Sequence, residues 1–244
     1  MIRTSADPLE QPVLSSLAGA HARFAEVVGQ VVRYQPEVSP FVAFTHDADD
    51  AAWDDLVQMV GPNATAIIYG ARSEPPKGWA IRRRLEAIQL TGVNLVAVRD
   101  LEATVLETRD VPQMLDLVGR TQPGPFLSRT IEMGAYLGIR RGEKLIAMAG
   151  ERLRPAGWTE ISAVCTDEDY RGSGLATRLI RAISVGIRER GETPFLHVSA
   201  SNHGALRLYR SLGFEVRRSV NILAVQTPPS VVDPRPSMRE GSNR

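Results

Sequence analysis

The sequence predicts an α/β (α+β mixed-sheet) fold in which helices cover a mixed sheet. Residues 158–166 are rich in β-branched and apolar residues and lack a helical repeat, so they predict a strand. After a Gly-rich loop, Leu175, Leu179 and Ile183 recur every four residues, which predicts an amphipathic helix with one buried face. The chain has 244 residues, of which 43% are hydrophobic, and it is therefore long enough to bury a substantial core.

Residues 1–95 predict an N-terminal α/β domain without a visible catalytic motif. Asp49 or Asp50 is expected to cap a helix, because a carboxylate there accepts hydrogen bonds from first-turn N–H groups. The predicted elements are a helix at 12–20, a strand at 24–34 with a break near Gly29, a strand at 41–44, a helix that ends at Gly61, a strand at 65–69 and a helix at 81–90.

Residues 96–226 predict a second domain, which carries the candidate chemistry. Residues 227–244 are rich in Pro, Ser and Arg and predict a disordered tail. The predicted elements of the second domain are strands at 94–98 and 103–107, a helix at 110–118, a hairpin at 134–150, the strand at 158–166, the helix that begins near 175, and a closing strand and helix at 196–214.

Composition limits the compartment and the partners. The net charge of +1 gives no overall attraction to nucleic acid or to a membrane surface. The single cysteine excludes a disulfide within the chain and is typical of a reducing compartment. The sequence contains neither a long apolar stretch nor an apolar signal segment, so we expect a cytoplasmic protein that binds neither nucleic acid nor membrane.

Two charged clusters suggest other functions. Arg82, Arg83 and Arg84 are compatible with a phosphate or nucleic-acid site, but a solvated helix face is favoured because no base-reading motif accompanies them. The acidic residues between positions 47 and 55 lack the spacing of a calcium loop, and the histidines lack metal-ligand spacing. We therefore expect no metal site.

The loop before the helix at 175 is suited to bind a diphosphate. Gly172 and Gly174 permit positive φ angles and a close approach of a ligand to the backbone. Successive N–H groups at the helix N-terminus attract anions, and Arg171 adds a full positive charge. A Gly-rich turn without a ligand is the alternative, and the Gly-x-Gly pattern alone favours that alternative.

Two motifs in order and at a suitable interval decide between these interpretations. Residues 171–176 read Arg-Gly-Ser-Gly-Leu-Ala, and residues 202–214 follow the pattern Asn-x-x-Ala-x-x-x-Tyr-x-x-x-Gly-Phe. The first resembles the Arg/Gln-x-x-Gly-x-Gly/Ala signature of the GNAT superfamily of acyl-CoA-dependent N-acyltransferases, with Ala176 at a position that is commonly Gly. The second resembles the closing strand-helix motif of that superfamily. The resemblance covers about residues 102–225.

The resemblance implies transfer of an acetyl group from acetyl-CoA to a primary amine by direct attack in a ternary complex. It implies backbone contacts from Val164, Cys165 and Thr166 to the acyl and pantetheine arm, and a contact from Asn202 to pantetheine. The residues implied to bind the diphosphate are Arg171, Gly172, Ser173, Gly174, Leu175, Ala176 and Thr177.

Catalytic roles are also implied by the resemblance. Tyr209 aligns with the tyrosine that protonates the leaving thiolate in similar proteins, and a packed core tyrosine is the alternative. Glu160 is the candidate base, because it aligns with a catalytic glutamate of related histone acetyltransferases; an exposed carboxylate at the strand end is the alternative. His197 stands where some protein N-terminal acetyltransferases carry a glutamate base; a structural histidine is favoured there, and a bound water is a further candidate base.

The N-terminal half resembles the degenerate GNAT-like half that certain members carry, and it is expected to shape the acceptor cleft. Pro125, Phe126 and Arg129 are candidate walls of that cleft. The expected partner is a small-molecule or peptide amine, bound by a monomer or a homodimer. A non-catalytic CoA- or acyl-CoA-binding sensor or pseudo-enzyme is the alternative function. A dinucleotide-binding oxidoreductase is disfavoured because Thr177 replaces the third Gly of that fingerprint.

Overall fold

A computed structural model describes residues 6–71 and 73–229. One mixed sheet of eleven strands runs through this part of the chain. In chain order the strands are β1 (Ala25–Val28), β2 (Val31–Tyr34), β3 (Phe41–Phe44), β4 (Thr65–Tyr69), β5 (Ala80–Thr91), β6 (Thr104–Val105), β7 (Tyr136–Arg141), β8 (Lys144–Glu151), β9 (Trp158–Thr166), β10 (Thr193–Ser199) and β11 (Glu215–Gln226).

The helices pack on this sheet, and the α/β mixed-sheet prediction is confirmed. The helix after the Gly-rich loop buries the predicted stripe of Leu175, Leu179, Ile183 and Ile187. The α-helices are α1 (Pro12–Ala18), α2 (Asp50–Val60), α3 (Val111–Thr121), α4 (Leu175–Glu189) and α5 (His203–Ser211).

The strand order is β1-β2-β3-β4-β11-β5-β10-β9-β8-β7-β6. The last strand, β11, therefore lies between β4 and β5, and the sheet continues across position 95. One cluster of buried apolar side chains joins Leu14 and Phe24 of the N-terminal part to Leu153 and Phe195 of the later part. The division into two domains near residue 95 stays a prediction.

The helix predicted at residues 81–90 is wrong, because these residues form most of β5. β5 pairs antiparallel with β10 on one side and with β11 on the other. Pairing on both edges stabilises an extended backbone in spite of the helix-favouring side chains of this segment. The interpretation of Arg82, Arg83 and Arg84 as a helix face is therefore also wrong, since alternate residues of a strand point to opposite faces.

The strand predicted at residues 94–98 is absent, and the one predicted at 103–107 is reduced to the two residues of β6. Val96 and Val98 are 65% and 48% exposed, and the Val98 N–H donates to the Arg181 carbonyl of α4 (3.2 Å). β-branched residues favour a strand only where a neighbouring strand is available, and this segment has none.

The strand predicted at residues 24–34 is two strands. β1 and β2 form an antiparallel hairpin, and Gly29 in its turn has a φ of +50°. The predicted hairpin at 134–150 is confirmed as β7 and β8. The Asp49 carboxylate caps α2 by accepting from the Ala52 N–H (2.9 Å), as predicted.

Most of the predicted disordered tail lies outside the described residues. Residues 227–229 are described and have no regular secondary structure. Within the described ranges, no helix combines the length and the apolar character that a membrane crossing requires.

Candidate active site

The Gly-rich loop has the backbone geometry that its sequence predicts. Gly172 and Gly174 have φ angles of +78° and +77°, a region that favours glycine. A Cβ atom added at either residue would meet no atom within 4 Å, so the space beside the loop is open. The loop is therefore exposed to an incoming group and is not filled by the protein's own side chains.

The N-terminus of α4 is also open. The Arg178 N–H makes the first hydrogen bond into the helix, to the Gly174 carbonyl (3.1 Å), and Gly174 provides no side-chain cap. The N–H groups of Leu175, Ala176 and Thr177 belong to the first helical turn, where no intrahelical acceptor is available. Together with the helix dipole they form a positively polarised end that suits an anion, and beside it lies the Arg171 side chain, 56% exposed.

The strands β9 and β10 separate next to this loop. They pair in parallel only from Trp158–Thr193 to Glu160–Phe195, and beyond these pairs no register is formed. Ala163 of β9 has a φ of +51°, and the β8–β9 register shifts between Met148 and Gly150. This bulge bends β9 away from β10. We call the resulting opening the strand gap; Val164, Cys165 and Thr166 form one of its edges.

Cys165 presents its backbone to the strand gap and keeps its thiol inside the protein. It is 7% exposed, and burial raises the pKa of its thiol to about 11. At neutral pH the thiol is therefore protonated, which agrees with a packing role and not with a nucleophile.

A cavity of about 520 Å³ connects the strand gap with the N-terminal part of the chain. Strands β3, β4, β5 and β11 form its floor, and β9, β10, α5 and the 121–125 connection form its walls. The lining residues are Phe41, Ile67, Arg83, Leu85, Ala87, Thr121, Gln122, Pro123, Gly124, Pro125, Arg152, Val164, Cys165, Thr166, Arg171, His197, Val198, Ser199, Asn202, Ala205, Tyr209, Ile222 and Ala224.

Tyr209 projects from α5 to the cavity. It is 9% exposed and packs edge-on against Phe214, with ring centroids 5.8 Å apart. Burial raises the pKa of its phenol to about 12, so the phenol is protonated at neutral pH. Its hydroxyl makes no hydrogen bond to another described residue and is free to donate one.

Glu160 is buried, so its interpretation as an exposed carboxylate at the strand end is wrong. Its carboxylate accepts two hydrogen bonds from the Arg152 guanidinium (2.6 and 2.8 Å) and one from the Leu153 N–H (3.3 Å). Burial alone would raise the pKa of this carboxyl group, but the charge and hydrogen bonds of Arg152 outweigh it and hold the pKa well below its usual range. Glu160 is ionised and lies behind the cavity wall.

His197 lies between this carboxylate and the cavity. Its Nδ1 is 2.7 Å from Glu160 Oε1, and its Nε2 is 2.6 Å from the Tyr69 hydroxyl. Because ionised Glu160 only accepts, Nδ1 must carry the hydrogen, and Nε2 is therefore the acceptor. The Gln89 amide, whose oxygen accepts from Arg217 (2.7 Å), directs its nitrogen towards Nε2 (3.1 Å) and favours the same tautomer.

Of the other predicted site residues, some line the cavity and some do not. Asn202 lines the cavity, and its side chain also caps α5 by accepting from the Ala205 N–H (3.0 Å). Pro125 lines the cavity, whereas Phe126 packs in the core against Tyr136. Arg129 bonds Glu132 and Gln35 and is absent from the cavity lining.

Sequence reasoning missed Tyr69, Gln89 and Arg152 as partners of the site. Tyr69 ends a strand that the sequence predicts, but nothing local indicates which residue its hydroxyl meets. Gln89 lies in the segment that the sequence assigns to a helix. Arg152 follows the predicted hairpin, and strand pairing alone places it beside Glu160.

A solved structure matches nearly the whole chain. A GNAT-family protein from Novosphingobium aromaticivorans is 36% identical in sequence, with a TM-score of 0.83, and the match covers 92% of this chain and 99% of that one. The chain belongs to the GNAT family. The superfamily resemblance of the two motifs is thereby confirmed; the degenerate GNAT-like character of the N-terminal half stays a prediction.

Two further comparisons concern a part of the chain and the fold alone. The profile of a family described as "FR47-like protein" matches residues 136–222 of this GNAT protein. A GCN5-related N-acetyltransferase from Kribbella flavida shares the fold, with a TM-score of 0.59 at 17% identity over 89% of this chain and 96% of that one.

Curated relatives match over shorter segments. The N-alpha-acetyltransferase RimI of Mycobacterium tuberculosis is 37% identical over 83 residues, which are 33% of this chain and 51% of that protein. The mycothiol acetyltransferase of Thermomonospora curvata is 36% identical over 98 residues, which are 39% of this chain and 32% of that protein. This GNAT protein thus spans about half the length of the first relative and a third of the second.

The described residues contain no group of three or more His, Cys, Asp or Glu side chains that could hold a metal ion. The acidic residues near α2 act as a cap and as hydrogen-bond partners: Asp49 caps the helix, and Asp55 accepts from the Gln30 N–H (2.8 Å).

Proposed function

We propose that this GNAT protein transfers an acetyl group from acetyl-CoA to a primary amine in a ternary complex. The observation that carries the proposal is the continuity of three features. Arg171, beside the open and uncapped N-terminus of α4, lines the same cavity as the strand-gap edge at 164–166, and this cavity also reaches His197 and Tyr209. Anion binding, access to a strand edge and candidate proton-transfer groups therefore lie along one path.

The residues fit coenzyme A. The N–H groups of residues 172–177 and the Arg171 guanidinium would hold the diphosphate, because the loop is open and the helix end is uncapped. The free backbone edge of Val164, Cys165 and Thr166 would hold the pantetheine arm. Asn202 would add a contact from the opposite side of the strand gap. When bound, acetyl-CoA supplies an acetyl group activated as a thioester.

In this proposal His197 is the base, and Glu160 positions it through Nδ1 without contacting the amine. An alkylamine with a pKa near 10 is mostly protonated at neutral pH and must lose a proton before it can attack. Nε2 is the imidazole nitrogen that can take this proton. It already accepts from the Tyr69 hydroxyl, so the hydroxyl would give its own hydrogen to Nε2 and take up the proton that the amine loses. The resulting imidazolium would be stabilised by the Glu160 carboxylate at Nδ1.

Tyr209 supplies the proton that the departing sulfur takes up. A pKa of about 12 is high for this task in water. The sulfur, however, would leave within the same buried region, and desolvation raises the pKa of a thiol as well. The difference between the two pKa values therefore governs the transfer, and it is smaller than the raised value of Tyr209 alone suggests.

The deciding experiment is a thiol-release assay with acetyl-CoA and a panel of amines, run on the wild type and on Tyr209→Phe. The substitution is expected to lower kcat by about a hundredfold, in the range of general acid–base effects, with KM for acetyl-CoA nearly unchanged. Phe214→Leu, which alters the ring that packs on Tyr209 but removes no hydroxyl, is the matched control. Unchanged turnover in Tyr209→Phe would remove this tyrosine from the reaction.

The alternative function, a CoA-binding sensor without turnover, makes a distinct prediction. It expects CoA to bind in calorimetry while no amine releases thiol. Absence of CoA binding would contradict both functions.

A further inference from the structure

We infer that the amine acceptor carries an anionic group, which Arg83 binds, and that an apolar segment joins this group to the amine. The inference rests on the proposed transfer to an amine and concerns the class of that amine. It starts from the triplet of Arg82, Arg83 and Arg84, to which the proposed acetyl transfer assigns no role.

Strand geometry separates the three arginines. Arg82 and Arg84 point to one face of β5, where Arg82 bonds Gln226 and Arg84 forms two hydrogen bonds with Glu74 (2.8 and 2.9 Å). Arg83 points to the other face and lines the cavity together with Leu85 and Ala87. No hydrogen bond or ion pair joins Arg83 to any other residue between 6 and 71 or 73 and 229.

The described residues that line the cavity include positively charged side chains and no acidic ones. Three arginines, Arg83, Arg152 and Arg171, line it, and among the described residues that line it there is no Asp or Glu. Arg152 is neutralised by buried Glu160, and Arg171 lies at the diphosphate-binding loop, 4.0 Å from Glu168. Arg83, by contrast, neither pairs with a buried carboxylate in the described part of the chain nor lies at the loop that is proposed to bind the diphosphate.

The position of Arg83 sets the shape of the acceptor. Ala87 of β5 is paired with Ser199 of β10, beside the strand gap. Arg83 lies four residues from Ala87, which is about 13 Å along a strand. The floor between them is apolar and is formed by Leu85, Ile222 and Ala224. An extended apolar segment fits this floor, with the anionic group at Arg83 and the amine at or beyond Ala87, towards His197, which is paired with Gln89.

The same charge distribution disfavours polycationic acceptors. A polyamine would bring a second positive charge against Arg83, and like charges in a partly enclosed cavity repel. An anionic acceptor instead gains a charge-assisted hydrogen bond from the guanidinium, which suits a carboxylate in a bidentate arrangement.

The test is a set of straight-chain ω-aminocarboxylic acids of graded length, each compared with its ω-amino amide, in the thiol-release assay with acetyl-CoA. We expect the wild type to prefer acid over amide about tenfold in kcat/KM at the best length, as for one hydrogen bond to a charged group. Arg83→Gln should abolish this preference, because it should lower kcat/KM for the acid about tenfold more than kcat/KM for the amide. Arg84→Gln, on the opposite face, is the matched control and should retain the preference.

Three outcomes would overturn the inference. The acid–amide preference could be absent in the wild type, or it could survive in Arg83→Gln. Arg83→Gln could also raise KM for acetyl-CoA and not for its 3′-dephospho form, which would assign Arg83 to a coenzyme phosphate.

Failure of the proposed function is distinguishable from these outcomes. If no amine releases thiol, the acetyltransferase proposal fails. Calorimetric titration of the same acid and amide into the protein with CoA then still decides the role of Arg83, because binding of the acid should weaken about tenfold in Arg83→Gln and not in Arg84→Gln.

Discussion

Two histidines in this molecule each bind a tyrosine hydroxyl and have opposite tautomers. His21 accepts at Nδ1 from the Tyr34 hydroxyl (3.0 Å) and donates from Nε2 to the Met133 carbonyl (3.0 Å). His197 donates from Nδ1 to the Glu160 carboxylate and accepts at Nε2 from the Tyr69 hydroxyl. Each imidazole is thus bound to a tyrosine from the N-terminal part of the sheet.

The difference lies in what each imidazole has on its other side. His21 faces a neutral carbonyl and is 2% exposed, so a proton on it would be buried without a countercharge. His197 faces an ionised carboxylate and lines the cavity, so it has a countercharge on one side and access to a ligand on the other. The comparison teaches that a carboxylate and an adjoining cavity, and not a tyrosine partner, set His197 apart from His21 as a candidate proton acceptor.

The largest expected effect separates the two histidines in the assay. His197→Gln should lower kcat about a thousandfold, because it removes the proton acceptor. His21→Gln should leave kcat of the folded protein near that of the wild type. Thiol-release kinetics on both variants measure the difference. Equal losses would mean that His197, like His21, has only a structural role.

A second effect concerns the carboxylate behind His197. Glu160→Leu leaves the guanidinium of Arg152 buried and unpaired, which should lower the free energy of unfolding by about 4 kcal/mol. The double variant Arg152→Met/Glu160→Leu should recover most of this stability in urea titrations, because apolar residues replace the whole ion pair. It should remain inactive; an active double variant would show that Glu160 is needed only for folding.

A third effect is a pH dependence of stability that originates at His21. Burial lowers the pKa of His21 from 6.5 to about 4 in the folded protein. Between these pH values the unfolded state binds more protons, so stability is present above pH 6.5 and is lost as the pH falls towards 4. The loss should reach about 3 kcal/mol.

Urea titrations at pH 7 and at pH 4.5 on the wild type and on His21→Gln measure this contribution. The variant should lose less stability than the wild type over the interval. A wild-type loss no greater than that of the variant would show that His21 becomes protonated without leaving its site.

The smallest effect compares the two tyrosines. Tyr34→Phe and Tyr69→Phe each remove one hydroxyl that donates to an imidazole, and each should lower the free energy of unfolding by about 1 kcal/mol. Only Tyr69→Phe should also lower kcat, because its hydroxyl contacts the nitrogen that takes the proton. Loss of kcat in Tyr34→Phe instead would contradict the separation of the two sites.

Local sequence was sufficient for the elements whose determinants are adjacent in the chain. The loop at 171–177 and the helix after it follow from glycines at fixed positions and a four-residue apolar repeat, and the structure reproduces both. The Asp49 cap and the β7–β8 hairpin were predictable for the same reason, because turns and caps are set by a few neighbouring residues.

Elements that depend on a distant partner were not predictable in this way. β5 has helix-favouring side chains and becomes a strand because β10 and β11 pair with its two edges. Residues 94–98 have strand-favouring side chains and stay irregular because they have no partner strand. In both segments the availability of a neighbouring strand outweighs local propensity.

By itself the sequence determined the α/β class, the GNAT motifs, the Gly-rich loop before α4 and the candidate tyrosine, since each depends on consecutive or regularly spaced residues. Only the tertiary structure decided that Glu160 is buried, that His197 lies between it and the cavity, and that Arg83 faces the cavity while Arg82 and Arg84 do not. Glu160 is 37 positions from His197, and Tyr69 is 128 positions from it. Sheet pairing brings such residues together, and the charge and burial that set their chemistry arise only after that pairing has formed.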